Sequence, residues 1–315
     1  MGKRLAMPAG FNDLPTYRKE SPFANTAELY YIEGLIMRPK QLAILLLTLC
    51  TYATAFADTF TVTSTADEGA GSLREAITKA NSNGIAVTDY IYFNIPEPEF
   101  NKRVIRLKTQ LPALTSNVVI DGTTQPGERY AITDAKICIL TDEPLPDFSM
   151  LRIENASHVK IYGLYLYYGY WRGFFGSPYR SELLYGVNLI KSNAIEIGAP
   201  GKGNVINGVK HGIYSNSDSC RNVIIRSNYI GHGGYYTDAR EEFDQVVLGT
   251  ECGITFANVK DITIGGTQPA DGNVFGSRSR GVNIDSRYTT KNGYIRIQHN
   301  IFGRKYDKQT IIDVF

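Results

Sequence analysis

Tryptophan occurs once in 315 residues, and methionine, histidine and cysteine four times each. The cysteines, Cys50, Cys138, Cys220 and Cys252, show no C-x-x-C spacing, so neither a zinc site nor a disulfide framework follows from them. An excess of either charge is also missing. Thirty-three Lys and Arg stand against 31 Asp and Glu, for a net charge of +2. A field that weak leaves nucleic acid and anionic membrane surfaces without electrostatic support as partners. No apolar run reaches the roughly 20 residues of a spanning helix. The longest candidate, residues 42–57, is broken by Thr48, Thr51 and Tyr52.

What is plentiful is Gly, with 30 residues, and Tyr, with 21. Tyr suits a half-buried pleated surface and Gly a tight corner, so the composition leans all-β. Near Met37, Arg38 and Lys40 precede the apolar residues 42–49, and Ala55-Phe56-Ala57 follows. A basic n-region, an h-region and an A-x-A site make residues 37–57 a cleavable signal peptide, with a retained signal-anchor as the competitor. Residues 1–36 are then an upstream extension outside the fold, and the mature chain has no transmembrane span. Cys50 follows Leu49, which is not small, so no lipoprotein box is present. Residues 58–315 keep three cysteines and could form at most one pair.

After the cleavage site, Phe60-Thr61-Val62-Thr63 alternates as a strand, and Ser72 to Glu75 has the spacing of a capping box. The helix that follows carries the stripe Leu73, Ala76, Ile77 and Ala80. About three turns cannot stand alone, so the stripe must cover something, and the open end of a solenoid needs a lid. The decisive signal is repetition. Four segments open with Gly186-Val187-Asn188-Leu189, Gly212-Ile213-Tyr214-Ser215, Gly253-Ile254-Thr255-Phe256 and Gly281-Val282-Asn283-Ile284, and each continues into a second apolar alternation. They close on Asn204, Asn228, Asn273 and Asn300, spaced by 24, 45 and 27 residues. Period-two strands of this length bury an apolar face only by stacking, which predicts an all-β, single-stranded right-handed parallel β-helix (solenoid) with a short N-terminal capping helix. The recurring Asn then forms an inward structural ladder at one corner. Corner glycines are expected to take positive φ.

The motif Gly71-Ser72-Leu73-Arg74-Glu75-Ala76-Ile77 resembles the N-terminal signature of bacterial secreted right-handed β-helix repeat proteins with a CSLREA-type motif, with Gly71 in the cysteine position. Leu111-Pro112-Ala113-Leu114-Thr115, Asp121-Gly122-Thr123-Thr124-Gln125-Pro126-Gly127, Ser227-Asn228-Tyr229-Ile230-Gly231, Ile264-Gly265-Gly266-Thr267 and Gly272-Asn273-Val274 extend the similarity over roughly residues 59–303. The resemblance implies a pectin-lyase-like fold, an adhesin-like surface or secreted protein, and tethering through a separate C-terminal part. The chain ends on Thr310-Ile311-Ile312-Asp313-Val314-Phe315, which reads as a new strand, so residues 58–315 are expected to be a truncated β-helix.

The chemistry candidates are three. Gly231-His232-Gly233 is reminiscent of polygalacturonase-like hydrolases, but no adjacent Asp pair precedes it and Arg296-Ile297-Gln298 replaces the basic ending, so paired carboxylates are lacking. Asp238, Glu241, Glu242 and Asp244 form an acidic group in the enlarged repeat, a calcium site if the side chains converge and a solvated loop if they do not. No other cofactor is expected. Finally, Tyr162, Tyr165, Tyr167, Tyr168, Tyr170, Trp171, Phe174, Phe175 and Tyr179 interleave with Arg172 and Arg180. Either the alternating Tyr are an outer ladder, or Tyr167, Tyr170, Trp171, Arg172, Tyr179 and Arg180 bind a ligand through stiff aromatic area. The expected function is a secreted or cell-surface scaffold that binds an extracellular polysaccharide or surface macromolecule. The alternative is a polysaccharide lyase or glycoside hydrolase of the pectin-lyase-like fold, for which carboxylates and a cation must converge on one outer sheet.

Overall fold

The computed structural model describes residues 30–32, 35–37, 57–115, 117–141, 148–168, 185–217, 219–231, 250–277, 279–285 and 293–303. The chain divides into two compact units, Met1–Thr54 and Ala55–Phe315. In the first, β1 (Tyr30–Ile32) and β2 (Leu35–Met37) pair antiparallel. Three residues a strand are too few to show a sequence period.

The second unit opens with β3 (Thr59–Val62), α1 (Leu73–Ser82), β4 (Asp89–Phe93), β5 (Val104–Arg106), β6 (Val118–Asp121) and β7 (Ile137–Thr141). Strands then come in threes: β8 (Ser149–Glu154), β9 (Lys160–Tyr162) and β10 (Leu164–Tyr168); β11 (Tyr185–Ile190), β12 (Asn193–Ile197) and β13 (Val205–Asn207). The same order returns in β14 (His211–Asn216), β15 (Arg221–Ile225) and β16 (Tyr229–Gly231), in β17 (Cys252–Ala257), β18 (Lys260–Gly265) and β19 (Val274–Gly276), and in β20 (Arg280–Asp285), β21 (Ile295–Gln298) and β22 (Ile301–Phe302). Every third strand pairs in parallel. Sheet I runs β8-β11-β14-β17-β20, sheet II runs β3-β4-β6-β9-β12-β15-β18-β21, and sheet III runs β5-β7-β10-β13-β16-β19-β22. Three parallel sheets visited in turn, with one α-helix among the described residues, fit a stacked parallel solenoid.

Register explains why. In sheet II, Phe60, Ile91, Ile120, Ile161, Ile197, Ile225, Ile264 and Ile297 stand one above another. Sheet III contributes Ile105, Ile139, Leu166, Ile206, Ile230, Phe275 and Phe302, and sheet I contributes Leu151, Val187, Ile213, Ile254 and Val282. A one-residue slip would turn each column to solvent, so the pattern holds the register. Away from the last rung, these side chains join one buried apolar cluster.

At the corner between sheets II and III, amides replace apolar contact. Asn204 donates through both its backbone N–H and Nδ2 to Asn228 Oδ1, at 3.1 and 2.9 Å. Asn228 does the same to Asn273, and Asn273 to Asn300, at 2.8 to 3.0 Å. Each Nδ2 also reaches the closing carbonyl of a sheet II strand one rung back: Ile161, Ile197, Ile225 and Ile264. The rung without an Asn ends the series, where Asn204 Oδ1 accepts the N–H of Leu164 at 3.1 Å.

The glycines divide into two kinds, which corrects the single explanation from positive φ. Gly198 does take φ +73, and a Cβ there would run into the carbonyl of Arg226. The rung-opening Gly186 and Gly212 do not have positive φ; a Cβ on either would lie 2.5 Å from the carbonyl of the glycine one rung on. Close stacking, not backbone conformation, requires them.

The helix α1 buries Leu73, Ala76, Ile77 and Ala80 against β3 and β4. Ser72 Oγ accepts the N–H of Glu75 at 3.2 Å, but Glu75 Oε2 reaches the N–H of Gly71, one residue before the position of an ordinary capping box. Arg74 binds Asp67 and the carbonyls of Thr109 and Gln110, tying the cap to the rung below. Gln125 pairs through its amide with both backbone groups of Ile95. A second, smaller apolar cluster lies outside sheet III, where Phe100 and Tyr130 cover Tyr165.

Two substitutions test this core. Ile264→Asp places a carboxylate in a fully buried column, at a cost of several kcal/mol that rivals a domain's whole margin, and circular dichroism should show no folded β signal. Asn228→Ala should still fold but lose about 3 kcal/mol or more in urea unfolding, because the amides and carbonyls it joins stay buried without partners.

Candidate functional site

Most of the residues that the sequence singles out for binding lie outside the described residues: Tyr170, Trp171, Arg172, Tyr179 and Arg180, as well as Asp238, Glu241, Glu242, Asp244 and His232. Tyr167 is on β10, its ring 5.6 Å from that of Tyr165. Tyr165 is fully buried and stacks on Tyr130 at 4.5 Å. The aromatic alternation of the sequence is therefore divided. Gly163, at φ +63, turns the chain between sheets, leaving Tyr162 on the outer side of sheet II and Tyr165 under the cover of sheet III. In chain order, residues 169–184 and 232–249 both connect a sheet III strand to a sheet I strand.

An open cleft of about 590 Å³ lies elsewhere, on the outer face of sheet II. Outward positions of successive strands build it: Tyr90 and Tyr92 from β4, Val119 and Asp121 from β6, and Lys160 and Tyr162 from β9. Thr88, Asn117 and His158 line its edge, and Lys202 enters from beyond β12. The rings of Tyr90 and Tyr92 are half-buried, tilted by 56° and 5.7 Å apart. Lys160 and His158 are exposed.

A charged network adjoins the cleft, to which Asp121, Lys160 and Lys202 contribute lining side chains. Lys202 Nζ is 2.6 Å from Asp121 Oδ2 and 5.2 Å from the centre of the Tyr162 ring. The other oxygen of Asp121 accepts the N–H and hydroxyl of Thr123. Glu196 takes Arg226 at 2.7 Å on one oxygen and Lys160 at 3.6 Å on the other. Arg226 also approaches Asp271 at 3.6 Å. Burial pushes the Tyr162 hydroxyl well above its ordinary value, and the hydrogen-bonded Glu196 adds to this. The hydrogen bond to Glu196 likewise holds the Arg226 guanidinium firmly charged.

Carboxylates and cations thus converge on one outer sheet, but each carboxylate already has its partners. Asp121 and Glu196 are held by Lys202, Thr123, Arg226 and Lys160, and burial keeps Tyr162 protonated at neutral pH, while His158 and Lys160 at the cleft are exposed. What remains open is aromatic area beside mobile-headed cations, which suits binding more than proton transfer. Among the described residues, no group of three or more His, Cys, Asp or Glu side chains is placed to hold a metal ion. Cys138, Cys220 and Cys252 are free and buried, and burial raises the thiol pKa of Cys138 and Cys252, which removes both as nucleophiles.

None of the cleft residues was a sequence candidate for function, although Tyr162 begins the aromatic stretch and Asp121 belongs to the second signature. The signal that finds them is the outward position of each sheet II strand, read from the register of the irregular first rungs. No protein-family model matches the chain, and no curated protein matches it.

The buried hydroxyls imply an alkaline limit. Tyr162 and Tyr165 both have raised folded-state pKa values, through burial first. The unfolded value is about 10, so their contribution to stability is fully present below about pH 10 and is lost as pH rises through the folded values. In an alkaline titration, tyrosinate absorbance from these two should appear only together with loss of the β circular-dichroism signal.

Proposed function

We propose that this chain is an exported right-handed parallel β-helix of the CSLREA-type, secreted or held at the cell surface, that binds an anionic extracellular polysaccharide along sheet II. The cleft carries this reading. The faces of Tyr90 and Tyr92 offer stacking area for sugar rings, and Lys160 and His158 stand beside them to meet carboxylate or sulfate groups. A solenoid suits such a ligand, because its strands repeat about every 4.8 Å and present equivalent outward positions along a line that a polymer can follow. Export is supported by the basic, apolar and A-x-A segments of residues 37–57. Among the described residues, no helix is long and apolar enough to cross a membrane. The motif from Gly71 to Ile77 supports the family reading, since each residue has work at the cap: Ser72 caps, Leu73, Ala76 and Ile77 pack, and Arg74 and Glu75 hold the adjoining backbone.

The second reading, a polysaccharide lyase or glycoside hydrolase, draws on the same convergence of Asp121, Glu196, Lys160, Lys202 and Arg226. The ion pairs that hold both carboxylates favour the binding reading over a hydrolase with paired free carboxylates. Incubation with acidic polysaccharides should release neither unsaturated nor new reducing ends, and such release would favour the enzyme.

A glycan array with the wild type should show binding to uronate- or sulfate-bearing glycans. Lys160→Ala and Tyr92→Leu should each weaken it about tenfold, equivalent to about 1.4 kcal/mol, without moving the melting temperature more than slightly in the case of exposed Lys160. Trp171→Ala tests the sequence candidates in parallel. Loss of binding there, with Lys160→Ala silent, would transfer the site to residues 169–184.

A further inference from the structure

The N-terminal rung contains a buried carboxyl group with one oxygen unpartnered. Asp89, the first residue of β4, is fully buried. Its Oδ1 accepts the backbone N–H of Asp58 at 2.9 Å and Nδ2 of Asn83 at 3.2 Å. Its Oδ2 has no hydrogen-bond partner among the described residues, nor does any described Lys, Arg or His form an ion pair with Asp89. Elsewhere among the described residues buried carboxylates are better served: Asp121 has Lys202 on one oxygen and the N–H and hydroxyl of Thr123 on the other. A buried carboxylate with one oxygen empty is among the costliest features a core can carry.

The nitrogen that faces Asp89 belongs to Asp58, and Asp58 directly follows Ala57, the last residue of the A-x-A site. We propose that Asp89 is the receptor for the α-amino group created when the bond between Ala57 and Asp58 is hydrolysed. A peptidase selective for small residues adds water across this bond. The carbonyl carbon of Ala57 takes the hydroxyl and leaves as a carboxylate, and the nitrogen of Asp58 takes protons to become an ammonium. One N–H has then become three. The first keeps the existing contact to Oδ1 and the others are free to serve the same carboxyl group, turning a neutral hydrogen bond into a charge-assisted ion pair.

The surroundings already hold Asp58 for this. Its carbonyl accepts the N–H of Tyr90 at 2.8 Å. Its side-chain Oδ2 accepts Nδ2 of Asn83 at 2.9 Å, and Asn83 is the C-cap of α1. The new terminus would therefore be clamped between β4 and the helix that covers the stack. Ala57 itself is exposed, on the outer side of the bond that is cut.

This inference rests on the export reading above and is independent of glycan binding, and two measurements separate the parts. The first is the mass of the chain recovered from the medium of a secreting bacterial host, which should correspond to a start at Asp58. A start at any other residue overturns the processing site. The second uses the full chain with a protease recognition sequence in place of residues 51–57, purified folded and then cut so that Asp58 becomes the terminus. Cutting should raise the melting temperature by about 3 °C or more, the size expected for a gained buried ion pair in a unit of this length. The gain should vanish on selective acetylation of the new α-amino group, and cutting should leave Asp89→Asn unchanged. An equal melting temperature before and after cutting, or a gain that survives acetylation, overturns the ion pair while leaving the export reading intact.

Discussion

A parallel stack has to satisfy the backbone at its corners, where no neighbouring strand does so, and here the buried side-chain amide supplies that need at the turn from sheet II to sheet III. Asn204, Asn228 and Asn273 each give two hydrogens to the Asn of the next rung and one to a carbonyl of the rung before. The interaction is directional and repeats at the rung spacing, so it sets which strand lies above which before any apolar contact is counted. The columns of Ile and Val then fill the interior that this spacing defines. Leu164 closes the ladder with its backbone N–H, and from there toward the N-terminus other devices take over: the 3₁₀ turn at Gly122–Thr124, the bidentate Gln125 and the helix α1.

The outer surface follows a different rule. On sheet III it is buried again, by Phe100, Tyr130 and the segment that Arg103 staples through the carbonyls of Glu99 and Pro126. On sheet II it is left open, and the charges there form two groups: Lys202 with Asp121, and Glu196 with Arg226 and Lys160. A polymer lying across these groups would meet polar side chains that already have partners within the protein, beside the half-buried rings of Tyr90 and Tyr92.

The sequence carries the regular half of this architecture openly. Gly-opened strands, period-two alternation and a closing Asn repeat without much change from Gly186 to Asn300, and the core columns can be read directly from them. The capping helix is equally legible, because Ser72 and the stripe from Leu73 to Ala80 need only local rules. The cleft is not. Its strands belong to rungs with no repeating Asn, where β5 and β9 are three residues long and long connections intervene, so nothing local aligns Tyr92 with Asp121 and Tyr162. The aromatic stretch misleads for a related reason. Gly163 sends neighbouring tyrosines to different sheets, and spacing along the chain says nothing of that division.

The corners of the stack are not equal in what they demand. At the turn from sheet II to sheet III each interlocked amide directly precedes its sheet III strand, with extra residues such as 198–203 and 266–272 accommodated on its N-terminal side, so a residue inserted between the Asn and that strand would break contacts on two rungs at once. Residues 142–147, 169–184 and 232–249 all fall, in chain order, between a sheet III strand and a sheet I strand, and among the described residues no such amide series runs there. One edge of the solenoid is thus a register-keeping spine and another a permissive margin, so the chain could acquire, exchange or lose whole segments along that margin while the rungs behind it keep their alignment.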